Sequence, residues 1–195
     1  MIATNYIRFT GTQPRLDFSF LYPDGWQPAE MEEREYSQVF IRGPRNKANT
    51  YSAALVVNVL STESMNLEEK VADYLAKAER AREFKLISTA KGFFAGEEAA
   101  ELLVSYTTSL PLNSINPIDT TIIERRIIMK RGKSFYELVY SAVEEDYYAY
   151  LDSFENAART FEFRDDTARR VYRPLVVSVP VQTLHEGAAE YKTDK

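Results

Sequence analysis

The sequence predicts an α+β domain built around a sheet, and three observations predict it. Thirteen Tyr and 11 Phe make the 195-residue chain rich in the aromatic residues that suit a pleated, half-buried surface. Apolar and polar residues alternate over several short stretches divided by glycine and proline turns. Two longer stretches, starting near residues 67 and 144, repeat their apolar residues at helical spacing instead. A chain of this length is expected to form one core, since single domains commonly run to roughly 100–200 residues. The expected boundaries are a polar, irregular lead-in at 1–15, the domain at 16–163 and an extended tail at 164–195.

The first strand falls at 16–22, where Phe18, Phe20 and Tyr22 point to one side of an extended chain. Pro23-Asp24-Gly25 then makes a tight turn, proline presetting φ and glycine permitting a positive one, and throws Trp26, the only tryptophan, back towards the sheet. A charged loop follows at 30–35. Residues 37–41 read as a short strand stopped by Gly43-Pro44, and the nearly continuous apolar run at 52–60 as a central strand covered on both faces.

Asn66 and Glu69 form a capping-box pattern ahead of Leu67, Val71, Tyr74, Leu75 and Ala78, which predicts helix 67–82 with Glu68, Lys70, Lys77 and Glu79 on its solvated face. Strands are expected at 84–91 and 97–108, joined around Gly92 and Gly96. Pro111 and Pro117 make 110–119 the longest interruption of the core. The strands at 121–131 and 134–142 turn at Arg131-Gly132-Lys133. A second helix starts near Glu144, where Glu144, Glu145 and Asp146 complement the positive helix end, and buries Tyr147, Leu151, Phe154, Ala158 and Phe161. Beyond Phe163 no helical period continues, and Pro174 and Pro180 restrict the tail to an extended or edge-strand path.

Composition excludes several classes of function. A net charge of −5 argues against nucleic acid as partner, because such binding comes from neutralising phosphates. With no cysteine there is no disulfide, thiol nucleophile or cysteine-held metal. No stretch reaches the ~18 apolar residues of a membrane span, and residues 1–10 lack the basic start and apolar run of a secretory leader. Membrane association is therefore expected only through a partner or a leader already removed.

The order from Phe18-x-Phe20-x-Tyr22-Pro23-x-Gly25-Trp26 to Thr160-Phe161-Glu162-Phe163 resembles the PsbP-like family, the superfamily of PsbP, DcrB-like proteins and the Mog-type Ran-binding proteins. The resemblance covers 16–163 and implies a central, mainly antiparallel sheet with helices packed on its faces. It also implies an extracytoplasmic setting, in a lumen or periplasm, and binding, assembly or regulation in place of catalysis. The function expected from it is an accessory subunit docked onto a larger complex, photosynthetic or otherwise membrane-associated. The alternative is a cytosolic chaperone or regulator that binds an apolar segment of a client protein.

The residues agree with a non-enzyme. The single histidine, His185, lies in the tail, so a nucleophile-histidine engine would have to be built outside the domain. Gly92 and Gly96 lack the spacing and lysine of a phosphate loop, and no cofactor is expected. Glu30, Glu32, Glu33 and Glu35 are dense enough to consider calcium, though an exposed acidic loop explains them more simply.

Candidate partner-binding residues come from three places. Arg125, Arg126, Lys130, Arg131 and Lys133 gather positive charge on one hairpin, where they would steer docking or simply solvate an edge. Arg42, Arg45 and Lys47 form a weaker basic loop. Tyr148 falls on the outer side of the second helix. Leu175, Val176, Val177, Val179 and Val181 in the tail would each gain about 1.5–3 kcal/mol from being covered, which predicts that they lie along another subunit or along this domain.

Overall fold

The computed structural model describes residues 5–33, 36–61, 64–112 and 114–164. In chain order the elements are β1 (Tyr6–Thr10), β2 (Phe18–Pro23), β3 (Gln27–Glu32), β4 (Tyr36–Arg45), β5 (Ser52–Ser61), α1 (Leu67–Ala78), β6 (Arg82–Phe94), β7 (Glu97–Leu110), β8 (Ile118–Arg131), β9 (Ser134–Val143), α2 (Tyr147–Thr160) and β10 (Glu162–Phe163). One turn of 3-10 helix, Glu144–Asp146, leads into α2. Seven strands form one sheet in the order β3-β4-β5-β9-β8-β7-β6, and β1-β2-β10 form a second. Every paired neighbour is antiparallel, as the α+β expectation requires.

The aromatic alternation of β2 explains how the layers stack. Phe18, Phe20 and Tyr22 join Phe9 and Phe161 in a buried cluster with Val39, Ile41, Leu55, Val57, Leu138 and Tyr140 of the large sheet. Phe18 and Phe161 stack with ring centres 5.1 Å apart. Helix α2 adds Tyr147, Phe154, Ala157 and Ala158 to the same core, so the small sheet and α2 share one face of the large sheet. Helix α1 covers part of the other face, where Leu67, Val71 and Tyr74 pack on Leu102, Ile128 and Phe135. Its predicted capping box is present: Glu69 N donates to Asn66 Oδ1 at 2.9 Å and Asn66 N to Glu69 Oε2 at 2.8 Å.

Several local expectations are corrected. Part of the polar lead-in is the strand β1, paired along its length with β2. The charged stretch at 30–35 is in large part the edge strand β3, and Glu30 accepts from the Thr12 hydroxyl at 2.7 Å. Gly43-Pro44 does not stop β4, which continues to Arg45 through a register shift. The reason is Trp26: a Cβ on Gly43 would lie 2.8 Å from its indole ring, so glycine leaves the space into which that ring packs. Helix α1 ends at Ala78 because the chain turns into β6 by Arg82.

Candidate functional site

Strand alternation decides the fate of the basic hairpin. Arg125 and Arg126, adjacent in β8, point to opposite faces of the sheet. Arg125 pairs with Glu101 of β7 and Glu155 of α2 and lies over the Phe154 ring. Arg126 pairs with Glu124 and Glu137 and lies 4.4 Å over the Tyr74 ring centre. Lys130 donates from its Nζ to the Met65 carbonyl, and Arg131 sits 3.9 Å over the Phe163 ring with Glu97 at 3.5 Å. The expected run of exposed charge is thus largely turned inward: the arginines at 125 and 126 are both half-buried and paired with carboxylates. Lys133 stays exposed in the turn. The tail residues Leu175, Val176, Val177, Val179 and Val181 lie outside the described residues, as do His185 and Glu35.

The α1 side of the sheet carries a buried charge cluster that sequence reasoning missed. Lys70, assigned above to the solvated face of α1, is the buried residue of that helix and pairs with Glu137 at 2.8 Å. Glu137 also meets Arg126, which meets Glu124, which accepts from the Tyr74 hydroxyl at 2.8 Å. Asn58 extends the chain, donating to Glu137 at 3.4 Å and accepting from Gln38 at 2.9 Å and Tyr36 at 3.1 Å. Burial pushes the Glu137 carboxyl up, but Arg126 and Lys70 outweigh it and hold the group below the usual glutamate range. Burial, reinforced by Glu124, pushes the Tyr74 phenol well above the usual tyrosine range. Two cations and two carboxylates compensate one another and tie α1 to β8 and β9.

A different set of residues faces outward at the end of the sheet where β8 begins. The β7–β8 connection presents Leu112 at 73%, Ile115 at 97% and Ile118 at 60% exposure, although Leu110 and Ile122 at its base are buried. Ile118 then forms a wall of an open cleft of about 290 Å³, shared with Asp119, Thr120 and Thr121, the β4–β5 turn and Val143-Glu144-Glu145. The β4–β5 turn is held by Asn46, whose Oδ1 accepts from Thr50 N at 2.8 Å and Tyr51 N at 3.0 Å. Asp119 is paired with Arg82 at 2.5 Å and accepts from Ser109 at 2.9 Å. Tyr148, 60% exposed, stands at the start of α2, edge-on to Tyr147. The turn at Arg131-Gly132-Lys133 lies about 40 Å away, at the far end of β8.

No protein-family model and no curated protein sequence matches the chain. Solved structures do match. LpqN of Mycobacterium tuberculosis, described as involved in cell envelope biogenesis, aligns with a TM-score of 0.55 at 13% identity over 81% of this chain and 90% of its own. Cyanobacterial PsbP from Synechocystis aligns at 0.51 and 14% identity over 84% and 94%. The Ran-binding protein Mog1p of Saccharomyces cerevisiae aligns at 0.51 and 10% identity over 84% and 97%. The chain has the PsbP-like fold. At these identities the likeness concerns the scaffold alone. Within this fold, the cleft beside the exposed β7–β8 tip gathers residues from the β4–β5 turn, β8, the end of β9 and the turn before α2.

Among the described residues no three histidine or carboxylate side chains converge as metal ligands. No described helix is long and apolar enough to cross a membrane.

Proposed function

We propose that this chain is a non-catalytic binding subunit that docks onto a larger protein assembly through the end of its sheet bearing the β7–β8 tip. The observation that carries the reading is the exposure of Leu112, Ile115 and Ile118 together on one connection, above a base that is buried. Contiguous exposed apolar side chains on a soluble surface mark interaction sites, because covering them releases ordered water. Mog1p, a Ran-binding protein of the same fold, supports a binding role for the scaffold. The likeness to cyanobacterial PsbP is matched by the likenesses to Mog1p and LpqN, so the proposal names a protein assembly and not a photosystem. Tyr148 is an exposed residue that extends the expected docking set, Lys133 at the far end of β8 would belong to a separate contact, and the tail from Leu175 to Val181 remains a proposed second anchor.

The test is to compare the full chain with its Leu112→Asp and Ile115→Asp variants in extracts of the native organism, sizing the tagged protein by native gel filtration. Both side chains are exposed, so the fold is expected to survive. The proposal expects the chain in a large species and each variant in the monomer fraction. Unchanged elution of both variants would refute docking through the tip.

The client-binding alternative draws on a second feature. An apolar groove of about 270 Å³ runs between α1 and the sheet, lined by Leu67, Val71 and Leu75 of the helix and Ala100 of β7. Loss of the large species in Val71→Asp, with Ile115→Asp unaffected, would favour that reading.

A further inference from the structure

We infer that the partner segment seated at the β7–β8 tip is cationic as well as apolar: an extended protein segment whose apolar side chains cover Ile115 and Ile118 and whose lysine or arginine enters the adjoining cleft. The inference rests on the docking reading above and adds the chemistry of the occupant.

Five observations point to it. The tip and the cleft are continuous, because Ile118 belongs to both. The cleft is acidic: Asp119, Glu144 and Glu145 line it and, among the described residues, no lysine or arginine does. Asp119 is already met by Arg82, whereas no described residue pairs with Glu144 or Glu145, both exposed at the rim. An entering ammonium or guanidinium would therefore find two carboxylates that no described side chain pairs with. The volume, about 290 Å³, is below the range of roughly 300–1,000 Å³ usual for small-molecule pockets but gives room for one long side chain. The net charge of −5 draws cationic segments towards the chain from a distance.

The same features disfavour a lipid surface. Residues 110–118 contain no Trp, Tyr, Lys or Arg, the side chains that anchor a loop at a headgroup layer. Glu144 and Glu145 beside the tip would repel anionic lipid and the phosphates of nucleic acid alike.

The experiment titrates the full chain with two peptides of equal length and identical leucine content, one carrying lysine and the other glutamate at the remaining positions. Amide chemical-shift mapping gives the footprint, and affinity is measured at low and at high salt. The expected result is at least tenfold tighter binding of the lysine peptide, with shifts on Ile115, Ile118–Thr121 and Val143–Glu145. Binding should weaken about tenfold in the Glu144→Gln/Glu145→Gln double variant and at high salt. Ile115→Asp tests the apolar half separately and should weaken the lysine peptide at high salt as well. Equal affinity for the two peptides, a footprint elsewhere, or an undiminished affinity in the double variant would overturn the inference. So would binding of the tip to phosphatidylglycerol vesicles in preference to the lysine peptide. If the lysine peptide shows no preference while Ile115→Asp still abolishes the large native species, docking through the tip stands and only its charge assignment falls.

Discussion

Lys70 of α1 places its ammonium 2.8 Å from the Glu137 carboxylate of β9, and this contact joins a surface helix to the middle of a seven-stranded sheet. Both side chains are nearly buried and Arg126 approaches the same carboxylate. Removing the anion leaves the buried Lys70 without its carboxylate and Arg126 with Glu124 alone. Glu137→Ala is expected to lower stability by about 3–5 kcal/mol, the usual cost of breaking a buried pair. The exposed Lys91–Glu68 pair provides the contrast, and Lys91→Ala should cost less than about 1 kcal/mol. Urea unfolding of both variants checks this, and similar midpoints for the two would contradict it.

The same carboxylate makes stability depend on acid. Glu137 has its folded-state pKa lowered, so as pH falls the unfolded chain takes up the proton first. Its contribution is complete above the ordinary glutamate range and is lost as pH drops through the lower folded value. Urea midpoints measured from pH 7 down to pH 3 should fall more steeply for the wild type than for Glu137→Gln. Parallel curves would show that Glu137 carries no such linkage.

Gly43 and Trp26 form a matched pair across β4, since any Cβ at Gly43 meets the indole at 2.8 Å. Gly43→Val should displace the ring and cost about 1–3 kcal/mol, the range for overpacking a filled site. Because Trp26 is the only tryptophan, its emission reports the event directly. A red shift in the folded variant is expected, and wild-type emission with wild-type thermal stability would disprove the steric account.

Asn66 caps α1 by accepting from Glu69 N. Asn66→Ala should cost about 1 kcal/mol, whereas Asn66→Gly should cost only a few tenths, because glycine still lets solvent reach the free amides. Equal losses in the two variants would mean that the cap hydrogen bond is not what stabilises the helix start.

Much of the fold was legible along the chain. The period-2 aromatics of β2, the glycine-proline turn before Trp26 and the capping box of α1 are local patterns, set by the directions in which neighbouring side chains leave the backbone. The misread places involve partners remote in sequence. Gly43 resembled a strand stop because nothing near it in the chain announces the indole of Trp26. Lys70 was assigned to water although its spacing from Leu67 and Tyr74 puts it on the inner side, because a lysine is buried only where a carboxylate such as Glu137 awaits it. The register of the β8–β9 hairpin, read from its turn, offered a signal: it sets Glu137 opposite Ile128 and Arg126 opposite Val139, on the face that also carries Glu124.

The amino-acid sequence by itself determined the two helices, the strands other than β1 and β3, where the aromatic core lies and that two helices cover a sheet, since each depends on periods of two or 3.6 residues. Tertiary structure alone decided which charges are spent inside and which face outward. Adjacent Arg125 and Arg126 separate to opposite faces, where Glu101, Glu155 and Glu137 from other elements, with Glu124 of β8 itself, neutralise them. Ile118 and Glu144, far apart along the chain, meet in one cleft because β8 and β9 pair antiparallel and bring the start of one beside the end of the other. Burial and pairing are properties of the assembled sheet, and for Arg125–Glu155 or Lys70–Glu137 no short window of sequence contains both partners.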